Sequence, residues 1–427
     1  MHTKNRKRRR GEDALTAALD LGASKVSCFI ARGALGGDLA SQIEIVGVGH
    51  HGMPVQSKGA APVDQLEIGI RSAVDAAERM AGEHIHRVCV SVPGRFLRTR
   101  RIGVDLEISG GVVTEEDIDD ALGEGALIAT SSDCAALHAL PIGYKVDGEE
   151  IFLDPVGLSG VNLSTEMLGV GARHSVLDNL STLIERCGLS ITEFVAAPFA
   201  AAEATLIEDE KELGVVLIDI GAASTGFAVY DNGMLIDCGG VAVGGGHITR
   251  DIAQIFGTPL VHAERVKTVQ GAALIGPGDE HRFIDFPQLG AAGERLRASR
   301  ADVYEVIIPR MEEIFELVAQ KLPDDGMRRS GLRRAVITGG GSLLIGAREI
   351  AERALSMKSR LGRPIAVVGA PEAAGAPGFA VCAGLIQHAV NMSSESKSAL
   401  GVFGQSLHSD KRATKLGGVE AWLRAKF

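Results

Sequence analysis

Two loops lying far apart in a chain of 427 residues combine an aspartate with small residues and hydroxyls, the set needed to hold a polyphosphate and its cation. The first reads Asp20-Leu21-Gly22-Ala23-Ser24-Lys25 and the second Asp219-Ile220-Gly221-Ala222-Ala223-Ser224-Thr225. Small residues behind each aspartate let backbone N–H groups close on phosphate oxygens, while Ser24, Lys25, Ser224 and Thr225 add hydroxyls and a cation. Asp20 and Asp219 would face a phosphate-bound Mg²⁺, usually through water, because Mg²⁺ gives up its hydration shell reluctantly. One such loop alone reads most simply as a hairpin turn. Two make a clamp.

A third segment, Ala335-Val336-Ile337-Thr338, runs into Gly339-Gly340-Gly341-Ser342. Glycines there would let a base or ribose lie against backbone, and a helix expected over 343–355 would favour the phosphates at its N-terminus. Glu264 and Lys267 stand three apart on one helical face and read either as a surface ion pair or as nucleotide contacts. The glycine cluster 239–247, which includes the candidate Gly245, lacks the spacing of a dinucleotide fingerprint and leads into a capped helix expected to start near Thr249. No Gly-Lys dipeptide occurs, which excludes a Walker A loop.

The loops need strands to carry them. Apolar runs at 14–19 and 215–218 enter the aspartates, and alternating residues at 26–30 and 227–229 leave them. An amphipathic helix is expected over 63–81, a buried strand over 88–92, further strands near 142–145 and 163–170, a helix over 177–187 stopped by Gly188, and an apolar helix over 379–390. The net charge of −10 and aromatic content of 4% give no general attraction to nucleic acid and no base-stacking platform. Six scattered cysteines form no C-x-x-C pair and read as reduced, small core residues. His50 with His51, and His84 with His86, lack the spacing of a zinc helix.

The ends differ from the body. Six of the first ten residues are Lys or Arg, a solvated basic arm. Residues 391–415 have linker composition, and beyond them Val419, Trp422, Leu423 and Phe427 fall on one helical face beside Arg424 and Lys426, the pattern of a helix lying in an anionic membrane interface.

With these features the chain resembles the actin, Hsp70 and sugar-kinase ATPase superfamily, and within it the FtsA family of bacterial cell-division proteins. The specific marks are the module 95–172, the runs Asp154-Pro155-Val156-Gly157-Leu158-Ser159-Gly160 and Glu185-Arg186-Cys187-Gly188-Leu189, and the terminal Trp422-Leu423. The resemblance implies a two-lobed α/β, ribonuclease-H-like fold: a basic arm at 1–13, lobe I at 14–94 and 173–203, an inserted α/β domain at 95–172, lobe II at 204–235 and 317–377 with an inserted subdomain at 236–316, a lobe I closing helix at 378–390, the linker 391–415 and a membrane-targeting helix at 416–427. It implies self-association into filaments on the cytoplasmic face of the inner membrane at the division site, with recruitment of later division proteins. It also implies a hold on the C-terminal peptide of the tubulin-like protein FtsZ, with Arg310 and Glu313 near that peptide. ATPases of the superfamily that turn over readily carry a Glu or Gln where this chain has Ala197 before Pro198, so hydrolysis is expected to be weak or negligible. Ala222 and Ala223 replace glycines common in relatives. A pilus-assembly adaptor and a small-molecule kinase on the same fold remain alternatives at this point.

Overall fold

Buried apolar residues at 17–19 and 28–31 make the first hairpin of lobe I, β1 (Leu15–Leu21) and β2 (Lys25–Gly33), paired antiparallel from Leu15↔Arg32 to Leu21↔Val26. The computed structural model describes residues 15–33, 43–54, 62–151, 154–290, 293–322, 332–365 and 369–394. The basic arm, most of the expected linker and the expected membrane helix lie outside the described residues. Strand β3 (Ile43–Gly52) adds to β2, and α1 (Val63–Ala81) covers it with Ile70, Ala73, Val74 and Ala77. The helix lies so close that a Cβ on Gly47 or Gly49 would collide with the carbonyls of Ala77 and Ala73. It ends where Gly82 takes φ 72° and donates its N–H to Glu78 O. Strand β4 (Arg87–Val92) then joins β1 in parallel.

The inserted domain follows: β5 (Leu97–Glu107), α2 (Glu115–Ala129), β6 (Cys134–Val146), β7 (Glu149–Ile151) and β8 (Asn162–Arg173), in sheet order β5-β8-β6-β7. Thr114 and Asp117 form a reciprocal capping box at the start of α2. Met167, Val104, Ala121 and Leu122 belong to a small core of this domain's own. The strand expected near 142–145 is in fact far longer, whereas the one expected near 163–170 extends only modestly, to Asn162–Arg173. Pro141, which has no N–H to give the ladder, sits at a register shift inside β6 and hides the strand's length from the sequence.

The chain returns to lobe I through α3 (His174–Arg186), closed after Cys187 by Gly188 at φ 83°, then β9 (Ser190–Ala196) and α4 (Ala197–Thr205) with Pro198 in its first turn. The lobe I sheet reads β3-β2-β1-β4-β9.

Lobe II repeats that plan. After α5 (Glu208–Leu213) come β10 (Val215–Ile220), β11 (Thr225–Asp231), β12 (Met234–Val241), α6 (Gly245–Ile255) and α7 (Leu260–Gln270). A hairpin of β13 (Phe283–Pro287) and β14 (Arg295–Ser299) leads to α8 (Arg300–Ala319), then β15 (Arg334–Thr338), α9 (Ala347–Leu355) and β16 (Lys358–Leu361). Its sheet order, β12-β11-β10-β15-β16, is the lobe I order transposed. The chain closes with α10 (Ala380–Ser394), which crosses α4 so tightly that a Cβ on Gly384 would meet Ala200 O. Two expected helix limits shift. Helix α6 starts at Gly245, four residues before Thr249, and the helix expected over 343–355 is a 3-10 turn at Gly340–Leu343 followed by α9, broken at Gly346 with φ 86° where the chain abuts Ala273 and Leu274. Among the described residues no helix is long and apolar enough to cross a membrane.

Candidate functional site

The repeated topology sets the ends of β1 and β10 face to face across a cleft of about 1170 Å³ between the lobes. Asp20 and residues 22–25 of the first loop line it. So do Asp219 and residues 221–224 of the second, and beyond them Gly245, Glu264, Lys267 and residues 339–341. Two candidates turn elsewhere. Thr225 donates its hydroxyl to Val243 O at 2.8 Å and Ser342 donates to Gly339 O at 2.7 Å, so both hydroxyls are spent inside the loops they brace.

For both aspartates the cost of burial outweighs the favourable charge of Lys25. Ser91 Oγ donates to Asp20 Oδ1 at 2.7 Å, and burial still holds the Asp20 carboxyl above the usual range against Ser91 and Lys25. Burial, and then the charge of Asp20, push Asp219 up to about 7, with Lys25 opposing. Burial also holds Lys25 below the usual lysine range despite both carboxylates, and its ammonium stands 3.4 Å from the centroid of the Phe379 ring. A divalent cation between these carboxylates would relieve both shifts. Among the described residues no cluster of three or more His, Cys, Asp or Glu side chains could hold a metal. The two hard oxygen donors therefore suit an ion that keeps most of its ligands as water and phosphate oxygen, as Mg²⁺ does.

The glycines serve the protein before they serve a ligand. Gly339, at φ 82°, and Gly341 pass so close to the second loop that a Cβ would strike Asp219 Oδ1 or the Ile220 side chain; only Gly340 faces open space. The amides of Gly245 and Gly246 donate to Gly221 O at 2.9 Å and Ala222 O at 2.8 Å. The first turn of α6 thus closes the second loop rather than offering those N–H groups to phosphate.

Glu264 and Lys267 do pair, at 2.7 Å, but not as a solvated surface pair: the Lys267 side chain is only 14% exposed. Its ammonium also donates to Gly245 O at 3.0 Å and to Thr249 Oγ1 at 2.8 Å, and Thr249 bonds Glu264. This knot ties α7 to the start of α6 at the cleft wall. Ala197 is buried, and the Pro198 ring lies against Gly226. On α8, Arg310 grips both oxygens of Asp251 on α6, at 2.6 and 3.1 Å, and also pairs with Glu313. Those two residues lie outside the cleft, and their charges already have partners. Val419, Trp422, Leu423 and Phe427 lie outside the described residues.

Ser91, Phe379 and Pro198's seat on Gly226 were not singled out from sequence as parts of the site, and Thr249 was read only as the start of a capped helix. Thr249 alone had a local signal, one helical turn beyond Gly245.

The comparisons agree with this architecture. The family model "Cell division protein FtsA" matches residues 216–384, and "SHS2 domain inserted in FTSA" matches 94–170. Cell division protein FtsA of Agrobacterium fabrum is 34% identical over 97% of this chain and 95% of its own length. FtsA of Pseudomonas aeruginosa is 31% identical over 97% and 98%, and that of Escherichia coli K12 is 28% identical over 97% and 98%. Among solved structures, a PilM–PilN type IV pilus biogenesis complex aligns with TM-score 0.60 at 17% identity, covering 88% of this chain and 99% of the other. MreB5 of Spiroplasma citri bound to AMPPNP aligns at 0.51 and 14% identity, covering 90% and 99%. These two likenesses show the actin-like fold alone. With an actin-like body, an inserted SHS2 domain and relatives matched over nearly their whole length, this chain belongs to the FtsA family of cell division proteins.

Proposed function

We propose that this cell-division protein binds Mg·ATP between its lobes, uses it to favour a filament-forming state, and tethers FtsZ to the cytoplasmic face of the inner membrane at the division site. The observation that carries the reading is the pair of aspartate loops facing each other across the cleft, with two half-buried carboxylates under-compensated by Lys25. Asp20 and Asp219 would hold Mg²⁺ through water. The loop residues and Gly340 would receive phosphates and sugar, and the Glu264–Lys267–Thr249 knot would form the wall beside them. Bound Mg²⁺ would offset phosphate charge. The chain offers no side chain at Ala197 to orient an attacking water, so ATP serves as a conformational ligand more than as fuel. The family itself favours cell division over a pilus adaptor or a small-molecule kinase.

The inserted domain would contact the next subunit and later division proteins, and the lobe II insertion would hold the FtsZ C-terminal peptide near Arg310 and Glu313. Calorimetry checks the nucleotide: Asp219→Ala should weaken Mg·ATP binding roughly 10- to 100-fold, the scale of a charge-assisted contact, and Cys134→Ala should not. Equal affinity for both variants refutes the assignment. The membrane part is checked by sedimentation with anionic liposomes. One short helix binds weakly, and a filament presenting many copies gains about two to four orders of magnitude. Trp422→Glu should therefore leave the protein in the supernatant with nucleotide affinity unchanged.

A further inference from the structure

Outside the cleft, one buried polar contact bridges the inserted domain and lobe I. His138, on β6, is buried, and its Nε2 accepts the backbone N–H of Ala196 at 3.0 Å. The ring therefore carries its proton on Nδ1, and its neighbours hold it in place. Phe199 of α4 packs at 4.7 Å between ring centroids, and His388 of α10 stands edge-on at 5.9 Å. Glu193 of β9 pairs with His388 at 3.5 Å. Burial, with His388 beside it, keeps His138 neutral, its pKa lowered to about 3. A neutral acceptor is what an N–H donor requires.

The accepted N–H belongs to the residue at which β9 turns into α4. Two residues on, Pro198 enters the cleft wall, and its ring rests on Gly226, where a Cβ would come within 2.6 Å of Pro198 Cγ. Gly226 is the ladder partner of Asp219. An unbroken set of contacts thus runs from the inserted domain through His138, Ala196 and Pro198 to the second phosphate loop.

We propose that His138 is a positioning residue through which the inserted domain sets the geometry of the cleft floor under Asp219. Displacing β6 moves the N-terminus of α4, and with it the proline that spaces β11 from lobe I. A partner or second copy that strains the inserted domain would by this route alter nucleotide affinity, and bound nucleotide would by linkage alter the inserted domain's affinity for that partner. The affinity half of this inference rests on the nucleotide reading above; the coupling half does not.

The test compares full-length His138→Leu, His138→Gln and Met167→Ala. Gln keeps an acceptor near the Nε2 position, Leu removes it, and Met167→Ala opens the inserted domain's own core without touching the contact. In nucleotide-free protein, hydrogen exchange should rise in peptides covering 193–201 and 219–230 for His138→Leu and stay near the parent's for the other two. Mg·ATP affinity should fall about five- to tenfold for His138→Leu, the effect of one buried hydrogen bond, and recover to within about twofold for His138→Gln. The proposal is overturned if His138→Leu leaves the 219–230 peptides unchanged, if Met167→Ala disturbs them equally, or if Gln fails to restore them. If the parent binds no Mg·ATP, the nucleotide reading falls, and the exchange data still decide the coupling.

Discussion

The lobes carry the same sheet in the same strand order, yet they treat their aspartates differently. Asp20 lies across the ladder from Ser27 and is fixed by the Ser91 hydroxyl, with Lys25 five residues on. Asp219 lies across from Gly226, whose missing side chain makes room for Pro198, and no side-chain donor reaches it among the described residues. Lobe I holds its carboxylate with a hydrogen bond made in advance. Lobe II gives its own no such bond, and there burial and the charge of Asp20 outweigh Lys25. On the proposal above, lobe II is the adjustable half of the clamp, reached from the inserted domain through Ala196 and Pro198 of lobe I.

That contrast can be broken most directly by pH and by removing each charge. A carboxyl whose folded pKa lies near 7 keeps a proton that the unfolded chain has already lost above 3.8, so the Asp219 contribution falls as pH rises between those values. Nucleotide-free Asp219→Asn should therefore be more stable than the parent at pH 8 by roughly 2–4 kcal/mol, with the gain shrinking toward pH 4. Asp20→Asn should gain less because Ser91 and Lys25 already favour the Asp20 carboxylate, and the amide oxygen accepts the Ser91 hydroxyl more weakly. Equal gains in thermal melts would mean that the two lobes do not differ. His138 works in the opposite direction: its folded pKa of about 3 costs stability as pH falls below 6.5, with His388 edge-on to it and Glu193 paired to His388. The Asp219 variant should expose that acid limb.

A second comparison concerns Arg310, which clamps α6 to α8. Arg310→Glu sets a third carboxylate against Asp251 and Glu313 and should cost roughly 1–3 kcal/mol, discounted for partial exposure. Loss of FtsZ-peptide binding in that variant counts as a contact effect only if anisotropy is read below its melting transition. If the melt is unchanged, the clamp adds nothing to stability. The smallest change is Ala197→Gln. Supplying a water-orienting amide should raise phosphate release from a rate far below the typical ~10 s⁻¹ by roughly tenfold, ~1.4 kcal/mol of barrier. No change would show that Pro198's setting, not the missing amide, limits turnover.

The aspartate loops were legible because each is one local stretch, strand, Asp-x-Gly, strand, and the helix over 63–81 was legible because its apolar face repeats within one element. The contacts that finish the site were not, since Ser91 reaches Asp20 across 71 residues and His138 reaches Ala196 across 58. The start of α6 was misjudged for a related reason. A run of glycines weighs against a helix locally, and here carbonyls of the second loop accept its first amides. The Glu264–Lys267 pair was visible by spacing, but its burial depended on Thr249 and Gly245 from another helix.

The crossing of α4 and α10 at Ala200 and Gly384 also has a mechanical meaning. Just before α10, Pro377 O accepts the Gly339 N–H at 3.2 Å, and Phe379 carries the Lys25 ammonium on its face. Any pull on the residues beyond Ser394 enters the fold along α10 as shear against a backbone-to-backbone joint that has little give. The load is passed within a few residues to both the first and the third loops of the cleft. If the chain is tethered beyond Ser394 and the cleft holds its nucleotide as proposed, tension and occupancy would act in series, and a molecule under load would grip its ligand with a different stiffness from a free one.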